Sequence, residues 1–525
     1  MNLFSLSENS NNCYERLRFN IAFVLLLCLV YTFSSFAQRQ TMTKAEIIKA
    51  ADEYKIPSFN MFRELLKIPN NGNFPEQMED NANWCVKTFN NLKFSTQILR
   101  SEGIPHVLAE RVFNKNYKTI LFYLQIDGQP VDSSKWHQRS PYIPSLKKLV
   151  HDKWEAVDWK MLEDGYDPDL RIFARSASDS KGPAMAFISA MEILNKKSIS
   201  PKFNIKVIMD FQEELGSPAL TRLVSEKPAL FNAELMLIMD GARDLSNLPT
   251  LTFGARGIAT VTLKVFGATR DLHSGQYGNF APNPIFKLAD LIAGMKDENG
   301  RVTLPGFYEG VDIDDAEKEA IEILHENQDE IKRSLGIADM DHVGTSYQES
   351  LLYPSLNVRG IQSGWVGQEV RTLIPSTATA EIDMRLVPET PAERQIKLLK
   401  DYILSKNFHF VDSIPTIEER QKYTKLISMK SDIGSLPFRT KINSSIGQWL
   451  SKAMYDIFDD RFVKTITTGG SQPIAPFINT LNIPAVSIRI PNPDNNIHAP
   501  NENIRVGNYV EGIQMCLSIL MQEMK

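Results

Sequence analysis

A chain of 525 residues is too long for one compact core and predicts two domains or three. Hydrophobic and charged fractions of 43% and 23% are those of an ordinary soluble globular protein. A formal net charge of −5 and a pI near 6.0 offer no basic surface for nucleic acid, so small-molecule or peptide chemistry is the expected class.

At the N-terminus, Arg16 and Arg18 precede an uncharged, largely apolar run from Ile21 to Phe33. Ser35-Phe36-Ala37 then places small residues at the −3 and −1 positions of a cleavage site, so residues 1–37 read as a signal peptide and the protein as secreted or periplasmic. The apolar run is short for a permanent span, and no stable membrane span is expected after cleavage. Cys13 and Cys28 would leave with the signal. The mature chain keeps Cys85 and Cys516, too few for a disulfide framework or a thiolate metal cluster, and two buried free thiols are expected rather than a bond between them.

Lys44 to Lys67 reads as a helix. From about Ile98, short apolar runs alternate with helical patterns, the βαβ signature of a mostly parallel sheet covered by helices on both faces. Four runs suit buried strands: Thr119–Leu124, Asn204–Phe211, Leu235–Met239 and Ala485–Ile490. Each is followed by polar residues of one kind: Gln125 and Asp127, Glu213 and Glu214, Asp240, and His498. In open α/β sheets the ligand site lies beyond the carboxyl ends of the strands, where these groups would gather. Asp179 precedes a helix with apolar residues at Met185, Ile188, Met191 and Leu194. Alone it would be a turn or capping acid. Between Gly257 and about Lys441 the texture changes to strand (Ala259–Phe266), helix (Pro284–Met295), two strands (Ser355–Arg359, Thr377–Val387) and helix (Ala392–Ser405). That order predicts an inserted ferredoxin-like α+β unit, with Asp314–Leu335 as an extra helical insert.

Carboxylates and an imidazole suit Zn²⁺ or Mn²⁺. Two such ions bridged by a carboxylate activate water and polarise a carbonyl together, and an acid beside them moves the proton. Asp127, Asp179, Glu213, Glu214, Asp240 and His498 therefore amount to a metal site with a spare base.

Five motifs carry a resemblance over nearly all of the mature chain: Gln125-Ile126-Asp127-Gly128-Gln129-Pro130, Asp179-Ser180-Lys181-Gly182-Pro183, Glu213-Glu214-Leu215-Gly216-Ser217-Pro218, His273-Ser274-Gly275 and His498-Ala499-Pro500-Asn501-Glu502. In this order they resemble the carnosinase and aminoacylase metallopeptidase family, with Asp-x-Lys-Gly-Pro and Gln-Pro pointing to the carnosinase branch. The resemblance implies a catalytic domain at 38–256 and 442–525, interrupted by a lid or dimerisation domain at 257–441. It implies two divalent ions per subunit, Zn or Mn. Asp179 would bridge them, Glu214 and His498 would complete one site, and Asp240 with Gln125 the other. Glu213 would be the general base and later the acid, and Asp127 would orient the ligand at 125. His273 would reach the active site of a homodimer partner and steady the oxyanion. Arg385 matches an arginine that holds the substrate carboxylate, and Gly470-Ser471 a substrate-contacting segment. The implied activity is hydrolysis of dipeptides, small peptides or N-acyl amino acids.

The pattern breaks where the family has histidine and this chain has Gln125, and where Thr468 stands in place of an acid before two glycines. In one reading Gln125 binds its ion through the amide oxygen and donates N–H to Asp127, leaving a weaker second site. In the other, the protein is a catalytically weakened relative that binds or regulates. The presence of every other site residue favours the enzyme.

Overall fold

The strand runs set out above lie side by side in a computed structural model that describes residues 41–163, 165–324 and 326–524. The segment read as a signal peptide lies outside the described residues. Eight strands form the main sheet: β1 (Ser95–Ser101), β2 (Ile104–Arg111), β3 (Thr119–Gln125), β4 (Asn204–Asp210), β5 (Leu235–Ile238), β6 (Thr250–Thr252), β7 (Val463–Thr465) and β8 (Ala485–Arg489). Their spatial order is β1-β2-β4-β3-β5-β8-β6-β7. The central four, β4, β3, β5 and β8, are mutually parallel, while β1, β2 and β6 pair antiparallel towards the edges.

The apolar runs make central strands because both faces are covered. Along β3, Ile120, Phe122 and Leu124 enter one core with Phe62, Phe187 and Tyr509, whereas Leu121 and Tyr123 enter another with Leu223, Phe231 and Phe477. Helices Lys44–Leu66, Lys181–Lys196 and Val506–Met521 pack together on the first face. Helices Pro218–Glu226 and Ala475–Leu481 pack on the second. Cys85 and Cys516 are both buried and free in the first core, as expected. Among the described residues no helix is long and apolar enough to cross a membrane.

The inserted unit has its own core and a five-stranded sheet ordered Ser355–Gln362, Thr377–Leu386, Gly257–Phe266, Leu426–Ile433, His409–Phe410. With helices Pro284–Ala293 and Ala392–Ser405 its first four strands complete a βαββαβ ferredoxin-like unit. The strand Leu426–Ile433 was not expected, since its second half is exposed and polar and lacks the alternation that marks a half-buried strand. The helical insert is two helices, Asp315–Ile323 and Gln328–Leu335.

A second small sheet also went unread. Strand Asn503–Arg505 pairs antiparallel with Arg171–Phe173, which pairs with Ser145–Val150. It ties the segment just after His498 to the segment just before Asp179, and so sets the distance between two candidate ligands.

Candidate metal centre

The carboxyl ends of β3, β4, β5 and β8 open on one cleft, and its residues are fixed from behind by hydrogen bonds to loop backbone. Asp127, two residues past β3, is buried. Its Oδ1 accepts the Glu213 N–H at 3.1 Å and its Oδ2 the Glu214 N–H at 3.2 Å. It therefore caps the short turn Glu213–Leu215, which Gly216 ends at φ +85°. The expectation that Gln125 donates to Asp127 is corrected here. Both Asp127 oxygens are taken by backbone N–H groups, and neither Gln125 Oε1 nor Nε2 has a hydrogen-bond partner, although the side chain is fully buried. Behind this turn, buried Asp210 accepts from Tyr123 Oη at 2.8 Å, from Gln212 N–H at 3.0 Å and from the Ser217 hydroxyl.

Asp179 is held the same way from the other side of the cleft. Glu502, fully buried, accepts from the backbone N–H of Ser176, Ser178 and Asp179 at 2.8, 2.9 and 2.9 Å, and pairs with Arg175 at 2.7 Å. His498 follows on a loop where it adopts φ +60°, a conformation disfavoured outside glycine that orients its ring. Its Nε2 lies 2.9 Å from Asp179 Oδ2 and 3.2 Å from Glu214 Oε2. One donor atom from each of Asp179, Glu214 and His498 lies within 4.8 Å of the others. Gln129 Nε2 donates to Glu214 Oε2 at 2.7 Å and steadies it.

Asp240 is engaged differently. Its Oδ1 accepts from the Ser180 hydroxyl at 2.7 Å and its Oδ2 from Gln472 Nε2 at 3.3 Å. Its backbone carbonyl accepts from Arg489 Nη1 at 2.8 Å.

The electrostatics follow from crowding acids in a partly dry cleft. Burial pushes the Asp127, Asp179 and Glu213 carboxyls well above the usual carboxylate range. Repulsion adds to it, from Asp210 and Glu214 on Asp127, and from Asp240, Asp179, Glu214 and Asp127 on Glu213. Hydrogen bonds to Asp179 and then Glu214 raise the His498 imidazole to about 10. So much negative charge with a convergent imidazole fits a divalent cation, and two carboxylates with one imidazole suit Zn²⁺ or Mn²⁺. The Glu213 carboxyl meets no hydrogen-bond donor among the described residues, which leaves it available for a proton.

The description Peptidase family M20/M25/M40 matches residues 126–522, most of the chain. The chain belongs to that family. It is accordingly a hydrolase of metallopeptidase type, and the resemblance to the carnosinase branch holds. The human Beta-Ala-His dipeptidase is 25% identical over 429 residues, covering 80% of this chain and 77% of that protein. The Cys-Gly metallodipeptidase dug1 of Schizosaccharomyces pombe is 24% identical over 417 residues, covering 78% and 81%. Among solved structures, the M20 family metallo-carboxypeptidase Sso-CP2 from Sulfolobus solfataricus matches with TM-score 0.70 and 26% identity over 89% of this chain and 99% of that one. The Bacillus subtilis YXEP protein, described as a dinuclear metal binding peptidase, matches in fold at TM-score 0.54 and 13% identity, covering 89% and 98%.

The remaining site residues of this M20 peptidase, Arg385, Gly470, Ser471 and His273, make no hydrogen bond or ion pair with the carboxylate cluster among the described residues. Arg385, on Thr377–Leu386, donates from Nη1 to Ser471 Oγ at 2.9 Å, a contact between two residues each expected to touch substrate. Gly470 is exposed beside Ser471, and no atom lies within 4 Å of where its Cβ would stand. His273 is exposed on the inserted unit, where its Nδ1 accepts the Gly275 N–H at 3.1 Å. Among the described residues it makes no hydrogen bond or ion pair with the cluster of its own chain.

Sequence reasoning missed Ser180, Gln472, Arg489, Asp210 and the anchoring work of Glu502. Asp210 had a legible signal, being an acid at the end of an apolar strand. Ser180 and Glu502 stand inside motifs that were noted for their neighbours.

Proposed function

We propose that the protein is an exported, metal-dependent peptidase that hydrolyses dipeptides, small peptides or N-acyl amino acids, and that it acts as a homodimer. The observation that carries this reading is the convergence of Asp179, Glu214 and His498 beside the unengaged carboxyl of Glu213. Two similar proteins are named as dipeptidases, which favours dipeptides among the substrate classes. Export rests on residues 16–37 of the sequence.

Asp179, Glu214 and His498 would hold a divalent ion. When bound, such an ion supplies Lewis-acid polarisation of the scissile carbonyl and acidifies water. Glu213 takes the proton of the attacking water and returns it to the leaving amine, a two-way role suited to a carboxyl whose proton affinity burial has raised. Asp127 fixes that carboxyl by holding the backbone of its turn. Arg385, steadied by Ser471, holds the substrate carboxylate, with Gly470 leaving room beside it. His273, exposed on the inserted unit, serves the site of a second subunit. The exposed Phe280 and Phe286 on the same inserted unit supply apolar surface for that contact.

The test is hydrolysis by the purified mature protein of β-Ala-His, Cys-Gly, other dipeptides and N-acetyl amino acids, before and after treatment with a chelator. Cleavage that chelation abolishes and Zn²⁺ or Mn²⁺ restores is the expected result. A folded, metal-loaded protein that cleaves none of them would instead be the catalytically weakened binding relative.

A further inference from the structure

Asp179 and Asp240 are the two carboxylates that a second ion would need, and the space between them is taken. The Ser180 hydroxyl lies 3.0 Å from Asp179 Oδ1 and 2.7 Å from Asp240 Oδ1. With Gln472 on Oδ2, both oxygens of Asp240 are committed to protein donors. Asp179 has its other oxygen turned to His498. Among the described residues Asp179, Glu214 and His498 form a convergent donor set, whereas Asp240 is engaged by Ser180 and Gln472.

A fixed charge stands on the same side. Arg489, at the end of β8, is 5% exposed and extends towards the loop after β5. Its Nη1 donates to the Asp240 carbonyl at 2.8 Å and its Nε to Thr252 Oγ1 at 3.2 Å, while Nη2 has no partner. The chain is shaped to admit it. Gly241, at φ +87°, follows Asp240, and a Cβ there would fall 1.4 Å from Arg489 Nη1. A buried cation needs an opposite charge, and Asp240 and Asp179 are the acids that act on it. A second divalent ion in this half would meet the positive charge of a guanidinium seated against the Asp240 backbone. Gln125 offers only a neutral amide against that repulsion.

We propose that Ser180, Gln472 and Arg489 close the Asp240 half of the centre, so that each chain holds one divalent ion, at Asp179, Glu214 and His498, where the YXEP protein is described as dinuclear. Arg489 is then the fixed positive charge of the second half, and Gln125 is not a working ligand. This rests on the metallopeptidase reading of the same site and narrows it.

The experiment is a calorimetric titration of Mn²⁺ into chelator-treated full-length protein, with paramagnetic resonance of the Mn²⁺-loaded form, on wild type and Gln125→His. One ion per chain, an uncoupled Mn²⁺ signal and any second ion weaker by about 100-fold or more are expected in the wild type. Gln125→His alone should gain no second tight ion, because Ser180, Gln472 and Arg489 remain. Two ions of comparable affinity, or a spin-coupled pair, in either protein would overturn the inference while leaving the peptidase reading intact. A folded wild type that binds no ion and cleaves no peptide would sink that reading, and this inference with it. The triple variant Gln125→His, Ser180→Gly, Arg489→Met should bind a second ion. Should it fail to fold, the wild-type stoichiometry still decides.

Discussion

Asp127 shows how a residue reading can find the right side chain and the wrong partner. As an acid two positions beyond an apolar strand it was legible as part of the site. Its hydrogen bonds, however, go to the backbone N–H groups of Glu213 and Glu214, which lie far along the chain. Asp127→Asn turns one accepting oxygen into a donor that faces an N–H group, and the turn carrying Glu213 must shift. Activity should fall by about 10- to 100-fold with bound metal retained, by analogy with the loss of groups that orient metal ligands. Unchanged kcat in that variant would show that the turn is held by other means. Glu502 acts likewise on Asp179 through four hydrogen bonds and an ion pair with Arg175. Breaking one partner of a buried pair costs about 3–5 kcal/mol, so Glu502→Ala should lower the unfolding midpoint and the metal affinity together. A variant that loses only activity would contradict an anchoring role. Ser180, Gln472 and Arg489 were illegible for a different reason. Each is an ordinary residue whose meaning comes from a carboxylate supplied by another strand.

At the scale of elements, the parallel strands and long helices were legible because their burial is periodic and local. The four strands that carry the site were placed to within two residues at either end. The small sheet joining Asn503–Arg505 to Arg171–Phe173 was not, since three-residue strands show no period and their partners are set by the tertiary fold. One cross-element tie yields a pH prediction. Lys181, fully buried, donates to the Leu65 carbonyl at 3.0 Å and the Ile68 carbonyl at 2.7 Å, stitching the end of helix Lys44–Leu66 to the Asp179 loop. Burial pulls its ammonium from 10.5 down to about 7. Between those values the unfolded chain keeps a proton that the folded chain releases, so stability from this group rises with pH across the window and is lowest below about 7. Lys181→Met should destabilise by about 1–3 kcal/mol through the lost carbonyl partner. Denaturant titrations of both proteins should show the wild-type margin widening from pH 7 to higher pH. A margin that stays flat or narrows would mean that Lys181 keeps its proton in the fold.

For the whole molecule, the inserted ferredoxin-like unit sits between the two halves of the main sheet in sequence and carries His273 exposed on its surface. Sequence alone gave His273 no physical warrant, being one histidine in a Gly-containing loop. Its role came from resemblance, and its exposed position is what a residue serving a second subunit requires. Mixing Glu213→Gln subunits with His273→Ala subunits, each inactive alone, should restore activity, because one site of a mixed dimer has its own Glu213 and its partner's His273. No recovery after verified subunit exchange would place His273 outside catalysis in trans.

The central claim is that Glu213 moves the proton beside an ion held by Asp179, Glu214 and His498. Its most direct test is Glu213→Gln, assayed on the best dipeptide with metal content measured on the same sample. General acid–base catalysis is worth about 100- to 10,000-fold, and loss of both proton transfers should reach the upper end while metal content and fold stay unchanged. A metal-loaded variant that keeps more than about a tenth of wild-type turnover, well above that range, would contradict the claim.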